Sequence, residues 1–183
     1  MKETKEKTNP TQIAFFDADK TLWQVVSQSK GDDYASKGAF DGISRTFILD
    51  QENVVIRLED ETKLILKDGV IETLEKLTKE GVAIGIISDN VYEDVQKVSE
   101  LLKIWQYFDK AFTNVILWNG PADKALMIFE ILNNQPKIEK SKVLLVDDGE
   151  RYGTQMAQSG HNFILSPKAT FPKALILEFF GIK

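Results

Sequence analysis

The stretch IAFFDADKTLW, residues 13–23, decides the fold of this chain. Four apolar residues, Ile13 to Phe16, are followed directly by two carboxylates two positions apart, Asp17 and Asp19. A short apolar run that ends in acids predicts a buried strand whose carboxyl end opens into a cleft, where open α/β sheets bind ligands. Two acids at such a place are costly to desolvate unless a cation neutralises them. The stretch therefore predicts metal-assisted attack by one carboxylate through a covalent phospho-intermediate.

Strand-like and helix-like patterns alternate beyond this stretch. Apolar runs predict strands at 82–88 and 143–147, with shorter strands near 111–116 and 163–165. Helical spacing predicts helices over about 68–80, 91–105 and 150–159, one that the Gly120-Pro121 pair opens, and a closing helix around 175–179. This alternation predicts the α/β class: an open, mostly parallel, Rossmann-like sheet with helices on both faces.

Two details of these helices are specific enough to check. Asp68 is the expected N-cap of the helix over 68–80, and Gly81 is its expected stop. In the helix that carries Lys124, the apolar residues are expected to be core rather than a binding surface; they are Leu126, Ile128, Phe129 and Leu132.

Length and composition indicate a small enzyme-sized unit. With 183 residues and 43% hydrophobic content, the chain is expected to form one domain over residues 10–183 behind a mobile charged tail, residues 1–9. The formal charge of -5 is spread among interspersed acids and bases, so neither nucleic acid nor a membrane is an expected partner. The absence of cysteine excludes disulfides and thiolate metal sites. No signal peptide is evident, and a cytoplasmic location is the default expectation. Oligomeric state is not determined.

The connection from 24 to 67 is too long for an ordinary loop. RTFIL (45–49) and NVVIRL (53–58) flank a turn-like DQEN region, and a third β-prone piece covers 63–66. These runs predict a β-hairpin flap inserted after the first strand. Two interpretations stay open: a small lid over the site, or a hairpin that merely extends the sheet. Trp23, just before this connection, is expected either to line the entrance or to pack under the flap.

Four motifs in a fixed order carry a family resemblance. They are DxDxT at 17–21, Ser88 at the end of VAIGIISDN, Lys124 in PADKAL, and the acid pair that ends KVLLVDD at 147–148. This order resembles the haloacid dehalogenase superfamily, most of whose members are phosphohydrolases. The small flap, the DxDxTLW motif and the VDD motif look most like its magnesium-dependent phosphatase group, over about residues 13–165.

The resemblance implies Mg²⁺ as cofactor and a set of oxygen ligands for it. Asp17 would supply one carboxylate oxygen, Asp19 its main-chain carbonyl, and Asp148 another carboxylate. Asp147 would bind directly or through water. Asp148 is the first choice of the pair, although a tandem pair leaves the assignment open.

The same resemblance implies how a substrate would be held and cleaved. Ser88, Asp89 and Asn90, the last two partly through backbone groups after Ser88, would hold phosphate oxygens, and Lys124 would offset their charge. Asp17 would be the nucleophile, and Asp19 the general acid and then the general base. The expected substrate is a phosphorylated small molecule or a phosphoprotein.

Other interpretations of the same residues remain. A receiver-like signalling module uses similar parts but has its acid pair on the first strand and its Lys on the last. A related group transferase, or a protein that has become a binding protein, is the third possibility. His161 is expected to be structural, and Arg151 is expected to be a surface cation at a helix start, although it could reach a substrate anion.

Overall fold

A computed structural model describes residues 10–26, 45–115, 123–134 and 138–183 of the chain. The tail 1–9 and the first half of the predicted insertion, 27–44, lie outside the described residues, as do Gly120 and Pro121. The strands are β1 (Ile13–Phe16), β2 (Trp23–Val26), β3 (Phe47–Gln51), β4 (Val54–Arg57), β5 (Lys63–Leu66), β6 (Ala83–Ser88), β7 (Asn114–Val115), β8 (Val143–Asp147) and β9 (Asn162–Leu165). The helices are α1 (Val70–Lys79), α2 (Tyr92–Leu101), α3 (Lys124–Leu132), α4 (Glu150–Ser159) and α5 (Lys173–Phe179).

The central sheet is parallel and five-stranded, in the order β7-β6-β1-β8-β9. The chain runs from β1 to one side of the sheet through β6 and β7, and then to the other side through β8 and β9. The strand order therefore reverses beside β1, and such a reversal is where open α/β sheets place their ligand crevice. The predicted α/β fold class is confirmed.

Alternation along β1 explains why helices cover both faces of this sheet. Ala14 and Phe16 point into one apolar core, and Ile13 and Phe15 into another, because successive strand residues face opposite sides. Residues of α1, α2 and α5 line the first core, and residues of α3 and α4 line the second. Both faces of β1 are thus buried, which is why its sequence is a continuous apolar run.

The insertion forms a second sheet, antiparallel and four-stranded, in the order β2-β5-β4-β3. The runs predicted at 45–49 and 53–58 supply β3 and β4, and the third run pairs with both β4 and β2. Phe47, Val55 and Leu64 reach from this sheet into the core on the α1 and α2 side. We call β2 to β5 the flap sheet; its role as a lid stays a prediction.

A buried ion pair fastens the flap sheet to the core. Arg45, just before β3, donates from both its backbone nitrogen and its guanidinium to the Asp94 carboxylate of α2, each at 3.0 Å. Burial raises the pKa of Asp94, while the hydrogen bonds and charge of Arg45 oppose that rise. Removing one partner of such a pair is costly, so the contact resists separation of β3 from α2.

Several element boundaries differ from the sequence predictions. The first helix begins at Val70, and its N-cap is Gly69 with φ 83°, not Asp68, whose expected capping role is wrong. The turn into the helix needs a left-handed residue, which glycine adopts without strain. The helix predicted over 91–105 ends at Leu101, and the chain then passes Lys103 at φ 58° into a short 3-10 turn.

Two further predictions need correction. A 3-10 turn over Lys110–Phe112 replaces the first part of the strand expected near 111–116. Within the described residues, which end at 115 here, Asn114–Val115 pairs with β6. In α3 the side chains of Leu126 and Phe129 are 48% and 51% exposed rather than core. Ile128 is buried as predicted, and Leu132 packs partly buried against the second core. The buried face of the helix also contains Lys124, Ala125 and Met127. Within the described ranges, no helix combines the length and apolarity needed to cross a bilayer.

Candidate active site

The carboxyl ends of three neighbouring parallel strands bring the sequence motifs together. Phe16 of β1 is level with Ile86 of β6 and with Val146 of β8. The residues one or two steps further are therefore adjacent at one edge of the sheet. Asp17 follows β1, Ser88 ends β6 and Asp147 ends β8. The backbone N–H of Asp17 donates to the Val146 carbonyl at 2.9 Å, which fixes the spacing of the two acidic motifs.

Lys124 lies between two of the acids. Its Nζ donates to Asp17 Oδ1 at 2.7 Å and to Asp147 Oδ2 at 2.5 Å, and the residue is only 1% exposed. Asp123 caps the start of α3 by accepting from the Leu126 backbone N–H at 3.0 Å, which sets the position of Lys124 in the first turn. Nζ also lies 4.5 Å from the centre of the Tyr152 ring, a favourable cation–π distance.

Burial and charge act in opposite directions on this cluster. Burial raises the pKa of the Asp17 carboxyl well above its usual value, and the ammonium of Lys124 opposes that rise. The pKa of Asp147 is raised for the same reason, with the same opposition. Burial alone would lower the pKa of Lys124, but the two carboxylates outweigh it and raise its pKa. The two carboxylates therefore favour the charged form of Lys124 beside Asp17.

Asp17, Asp147 and Asp148 form an acidic triad with one carboxylate oxygen from each within 4.8 Å of the others. Carboxylate oxygens are the ligands that Mg²⁺ prefers, and Mg²⁺ needs only one or two of them when waters and a phosphate complete its shell. The two oxygens of Asp147 already accept hydrogen bonds, from Lys124 and from the Gly149 N–H at 2.7 Å. Asp148 makes no such contact with Lys124. The donor set fits a magnesium ion, for which each of the three acids offers a carboxylate oxygen.

Gly149 is required where it lies. A Cβ at this position would come within 2.9 Å of the Tyr152 ring and 3.2 Å of Asp147 Oδ1. The ring carries Lys124 on its face, so a larger residue at 149 would disturb both partners of the ion pair. The VDDG sequence gave no indication of this contact, because Tyr152 becomes a neighbour only once α4 has formed.

Asp19 lies two residues after Asp17, in the turn between β1 and β2. The next residue in this turn, Lys20, has a left-handed backbone with φ 63°. Trp23 Nε1 donates to Asp19 Oδ1 and Asn90 Nδ2 donates to Asp19 Oδ2, each at 2.6 Å. Burial raises the pKa of the Asp19 carboxyl, while these two hydrogen bonds oppose the rise. A carboxyl whose pKa is raised by burial is better suited to donate a proton than an exposed one.

The residues expected to hold a phosphate all lie at this edge of the sheet, but their side chains differ in how well they could bind one. Ser88 is buried at the end of β6. Asn90 uses its amide nitrogen on Asp19 rather than leaving it open. Asp89 raises the pKa of both Asp17 and Asp19 through its charge, so its carboxylate would repel a phosphate. Of the polar groups of Asp89, only its backbone N–H is chemically suited to hold a phosphate oxygen. Phosphate binding by Ser88, Asp89 and Asn90 stays a prediction.

Lys67 is a buried residue near the site that the sequence patterns did not single out. The residue is buried, and Nζ donates to the Lys20 carbonyl, to the Pro167 carbonyl at 2.7 Å, to Ser166 Oγ at 3.2 Å and to the Thr170 carbonyl at 3.3 Å. It fixes the loop after Asp19 against the segment that follows β9. Burial lowers its pKa to about 8, opposed by the charges of Asp148 and Asp17. A lone lysine after a strand carries no local signal for such a role.

Three residues weighed in the sequence can also be located. Trp23 is 1% exposed and packs with the flap sheet in the core, while its indole nitrogen contacts Asp19. Arg151 is exposed, stacks on the Tyr152 ring at 4.6 Å and donates to its hydroxyl. His161 is buried just before β9 and does not belong to the acidic triad.

The site thus combines a parallel α/β sheet with a buried lysine and an acidic triad at the carboxyl edge of that sheet. Residues 15–164 match the family model for haloacid dehalogenase-like hydrolases. This match covers most of the chain, and the protein belongs to that family. Among curated proteins no match was found.

Solved structures share this fold at low sequence identity. A protein from Listeria monocytogenes serotype 4b has a TM-score of 0.56 and 18% identity, over 87% of this chain and 82% of that one. A second match is the 3-deoxy-D-manno-octulosonate 8-phosphate phosphatase of Moraxella catarrhalis, solved with magnesium, phosphate and KDO. It has a TM-score of 0.51 and 13% sequence identity, and the match covers 94% of this chain and 89% of that one. A hydrolase of the same superfamily from Ehrlichia chaffeensis has 0.50 and 17%; the match covers 64% of this chain and 60% of that one. At these identities the likeness shows the fold alone.

Proposed function

We propose that this protein is a magnesium-dependent phosphomonoester hydrolase that forms an aspartyl phosphate on Asp17, and that it is closest to the magnesium-dependent phosphatase group of its family. The observation that carries the proposal is the contact of Lys124 Nζ with both Asp17 and Asp147 at the carboxyl end of the central strands. A buried ammonium reduces the repulsion between a carboxylate nucleophile and a phosphate dianion. The Moraxella catarrhalis phosphatase of similar fold supports the choice of substrate class.

The reaction has two steps, each with its own proton transfer. An oxygen of Asp17 attacks phosphorus while the bond to the ester oxygen breaks, and Asp19 gives its proton to the departing oxygen. A water then attacks the aspartyl phosphate, Asp19 takes a proton from that water, and Asp17 leaves as a free carboxylate with inorganic phosphate as product. Lys124 balances the negative charge on the equatorial oxygens in both steps.

Asp17, Asp148 and the main-chain carbonyl of Asp19 would hold the magnesium ion, with Asp147 held back by its bond to Lys124. When bound, the ion supplies positive charge next to the phosphoryl oxygens. Hydrolysis of p-nitrophenyl phosphate should therefore disappear with EDTA and return with added magnesium. Equal turnover in the chelator would contradict the proposal.

The ligand assignment has a test that does not need activity. Magnesium should raise the melting temperature of the wild type, because a ligand that binds only the folded state stabilises it. Asp148→Asn should lose that rise. Asp68→Asn, a matched change at an exposed acid that does not belong to the triad, should keep it. A normal rise in Asp148→Asn would remove Asp148 from the ligand set.

Two alternatives predict other fates for the phosphoryl group. A receiver-like module would accumulate a long-lived phosphoprotein, whereas a hydrolase releases inorganic phosphate at the rate at which the ester is cleaved. A group transferase would release little inorganic phosphate; an added acceptor alcohol would take the phosphoryl group from the aspartyl phosphate, form a new phosphoester and speed release of the leaving alcohol. Family membership favours the hydrolase. Quenched-flow measurement of phosphoprotein and free phosphate in one experiment separates the three.

We further propose that the flap sheet selects the substrate. Ile48 and Leu49 of β3 are each 45% exposed, an unusual pair of apolar side chains on an edge strand. Successive strand residues face opposite sides of a sheet, so only one of these two side chains can contact a given substrate. The double change Ile48→Ser and Leu49→Ser tests both faces and should lower kcat/KM about tenfold for a large phosphoester, since one apolar contact contributes roughly 1–2 kcal/mol. Activity on p-nitrophenyl phosphate should change little.

The control for the flap is Leu175→Ser on α5, where the side chain is 55% exposed. It makes the same kind of change away from the flap sheet and should leave the ratio of the two kcat/KM values unchanged. If the flap variant folds normally and also keeps that ratio, the flap has only a structural role.

A further inference from the structure

Both carboxylate oxygens of Asp19 are held by side chains from separate parts of the fold. Trp23 Nε1, at the first residue of β2, donates to Oδ1 at 2.6 Å. Asn90 Nδ2, in the turn after β6, donates to Oδ2 at 2.6 Å. One donor thus comes from the flap sheet and the other from the central sheet. Two short bonds to both oxygens leave the carboxyl group little freedom to rotate.

The direction of these bonds is fixed. The Asn90 side chain has a donor end and an acceptor end, and its Oδ1 accepts from the Val91 N–H at 2.7 Å. The amide nitrogen must therefore face Asp19. The indole nitrogen of Trp23 is a donor only. Trp23 itself cannot swing away, because it is almost completely buried and β2 pairs with β5 through Trp23 and Leu66.

Because the groups that Trp23 and Asn90 present to Asp19 are donors only, they limit where the proton of Asp19 can lie. When Asp19 is protonated, its own O–H has no acceptor in either Trp23 or Asn90, so the proton must occupy a lone pair directed elsewhere. Each carboxylate oxygen keeps a second lone pair after accepting one bond. When Asp19 is ionised, both donors still bind it. The carboxyl group therefore has one orientation in both protonation states, with its reactive lone pair away from both donors.

We propose that Trp23 is a positioning residue that, together with Asn90, aims the proton of Asp19 at the leaving oxygen of the substrate. This inference rests on the proposed phosphomonoester hydrolysis and adds to it a residue of the flap sheet that controls proton transfer. The alternative is that Trp23 only fills the core and satisfies its own N–H with the nearest carboxylate. A residue that only packs affects all substrates alike, whereas one that aims a proton affects substrates according to their need for it.

The test compares esters whose leaving groups need a proton with one whose leaving group does not. In Asp19→Asn, kcat/KM for an alkyl phosphate should fall about 10²-fold to 10⁴-fold, the usual contribution of general acid catalysis. Trp23→Phe should lower the same value about 10-fold to 100-fold, because misplaced groups lose part of that contribution. On 2,4-dinitrophenyl phosphate, the kcat/KM of Trp23→Phe should stay within about twofold of the wild-type value, since the leaving group of this ester departs without a proton.

A double-mutant cycle shows whether Trp23 acts through Asp19. In the Asp19→Asn background, Trp23→Phe should cause no further loss on the alkyl phosphate, because the group it positions is already gone. Trp105→Phe is the matched control. Trp105 packs against Tyr92 and Phe108 in a 3-10 turn after α2, and this change should leave both substrates unaffected.

A second replacement guards against a fold defect in Trp23→Phe. Replacing Trp23 by β-(3-benzothienyl)alanine keeps the ring size and removes only the N–H donor, so the core stays filled. It should show the same dependence on leaving group. An equal fall on both esters, or no fall on either, would overturn the inference while the wild-type activity still supported the proposed function. A wild type inactive on both esters would overturn the two together.

Discussion

Asp17→Asn should abolish turnover, by at least ~10³-fold, because an amide replaces the attacking oxygen and no covalent intermediate forms. Acid-quenched wild-type protein should carry one extra phosphoryl mass on the peptide that contains Asp17 during turnover, and the variant should carry none. The structure indicates that the variant will fold. Lys124 keeps its bond to Asp147 at 2.5 Å, so no buried ammonium is left unpaired.

Asp68→Asn provides the control for this experiment, because it makes the same chemical change at an exposed acid. It should retain full activity and the phosphoryl mass. The finding that would remove Asp17 from its role is phosphate on another residue while the Asp17 peptide stays unmodified. Circular dichroism and melting temperature should match those of the wild type, so that lost activity is not mistaken for lost structure.

Lys124→Met should have the largest effect on stability. The methionine fills a similar volume but leaves Asp17 and Asp147 buried without their shared cation. Breaking a buried pair in this way typically costs ~3–5 kcal/mol of unfolding free energy. Such a loss is a large share of the ~5–15 kcal/mol that holds a domain of this size together. Urea denaturation at pH 7 measures it, and activity should be lost as well.

The stability loss of Lys124→Met should depend on pH. Burial already raises the pKa of Asp17 and of Asp147 in the folded protein, and Lys124 opposes the rise. Without Lys124 the folded protein binds protons more readily than the unfolded chain does, so its stability increases as the pH falls. The deficit relative to wild type should therefore shrink between pH 7 and pH 5. Lys142→Met, at an exposed lysine, should show neither a deficit nor a change with pH.

The elements that the sequence predicted well are those with a local signal. The strands β1, β6 and β8 are continuous apolar runs, each ending in a polar motif, and buried parallel strands have this pattern. Because the carboxyl ends of parallel strands share one edge, the order of the motifs was enough to expect Asp17, Ser88 and Asp147 together. The family resemblance extended the same expectation to Lys124.

The predictions that failed depended on context that short patterns lack. Helix α3 has apolar residues all round, so spacing alone could not show that Leu126 and Phe129 face outward. Asp68 has the right chemistry for a cap, but the left-handed turn at Gly69 begins the helix one residue later. The hydrogen bond from Trp23 to Asp19 depends on the turn between these residues, in which Lys20 has a positive φ. Residue propensities did not predict this turn.

Lys67 also bears on the order in which the molecule is assembled. Its amino group joins the Lys20 carbonyl, 47 positions earlier, to the carbonyls of Pro167 and Thr170, 100 and 103 positions later. During synthesis, chains generally fold from the N-terminal side at the speed of the ribosome. The turn that holds Asp19 must therefore wait, without its final anchor, until about a hundred further residues have been added. A nascent chain that halts before residue 166 has β1 and Asp17 but lacks the contacts that fasten the loop after Asp19.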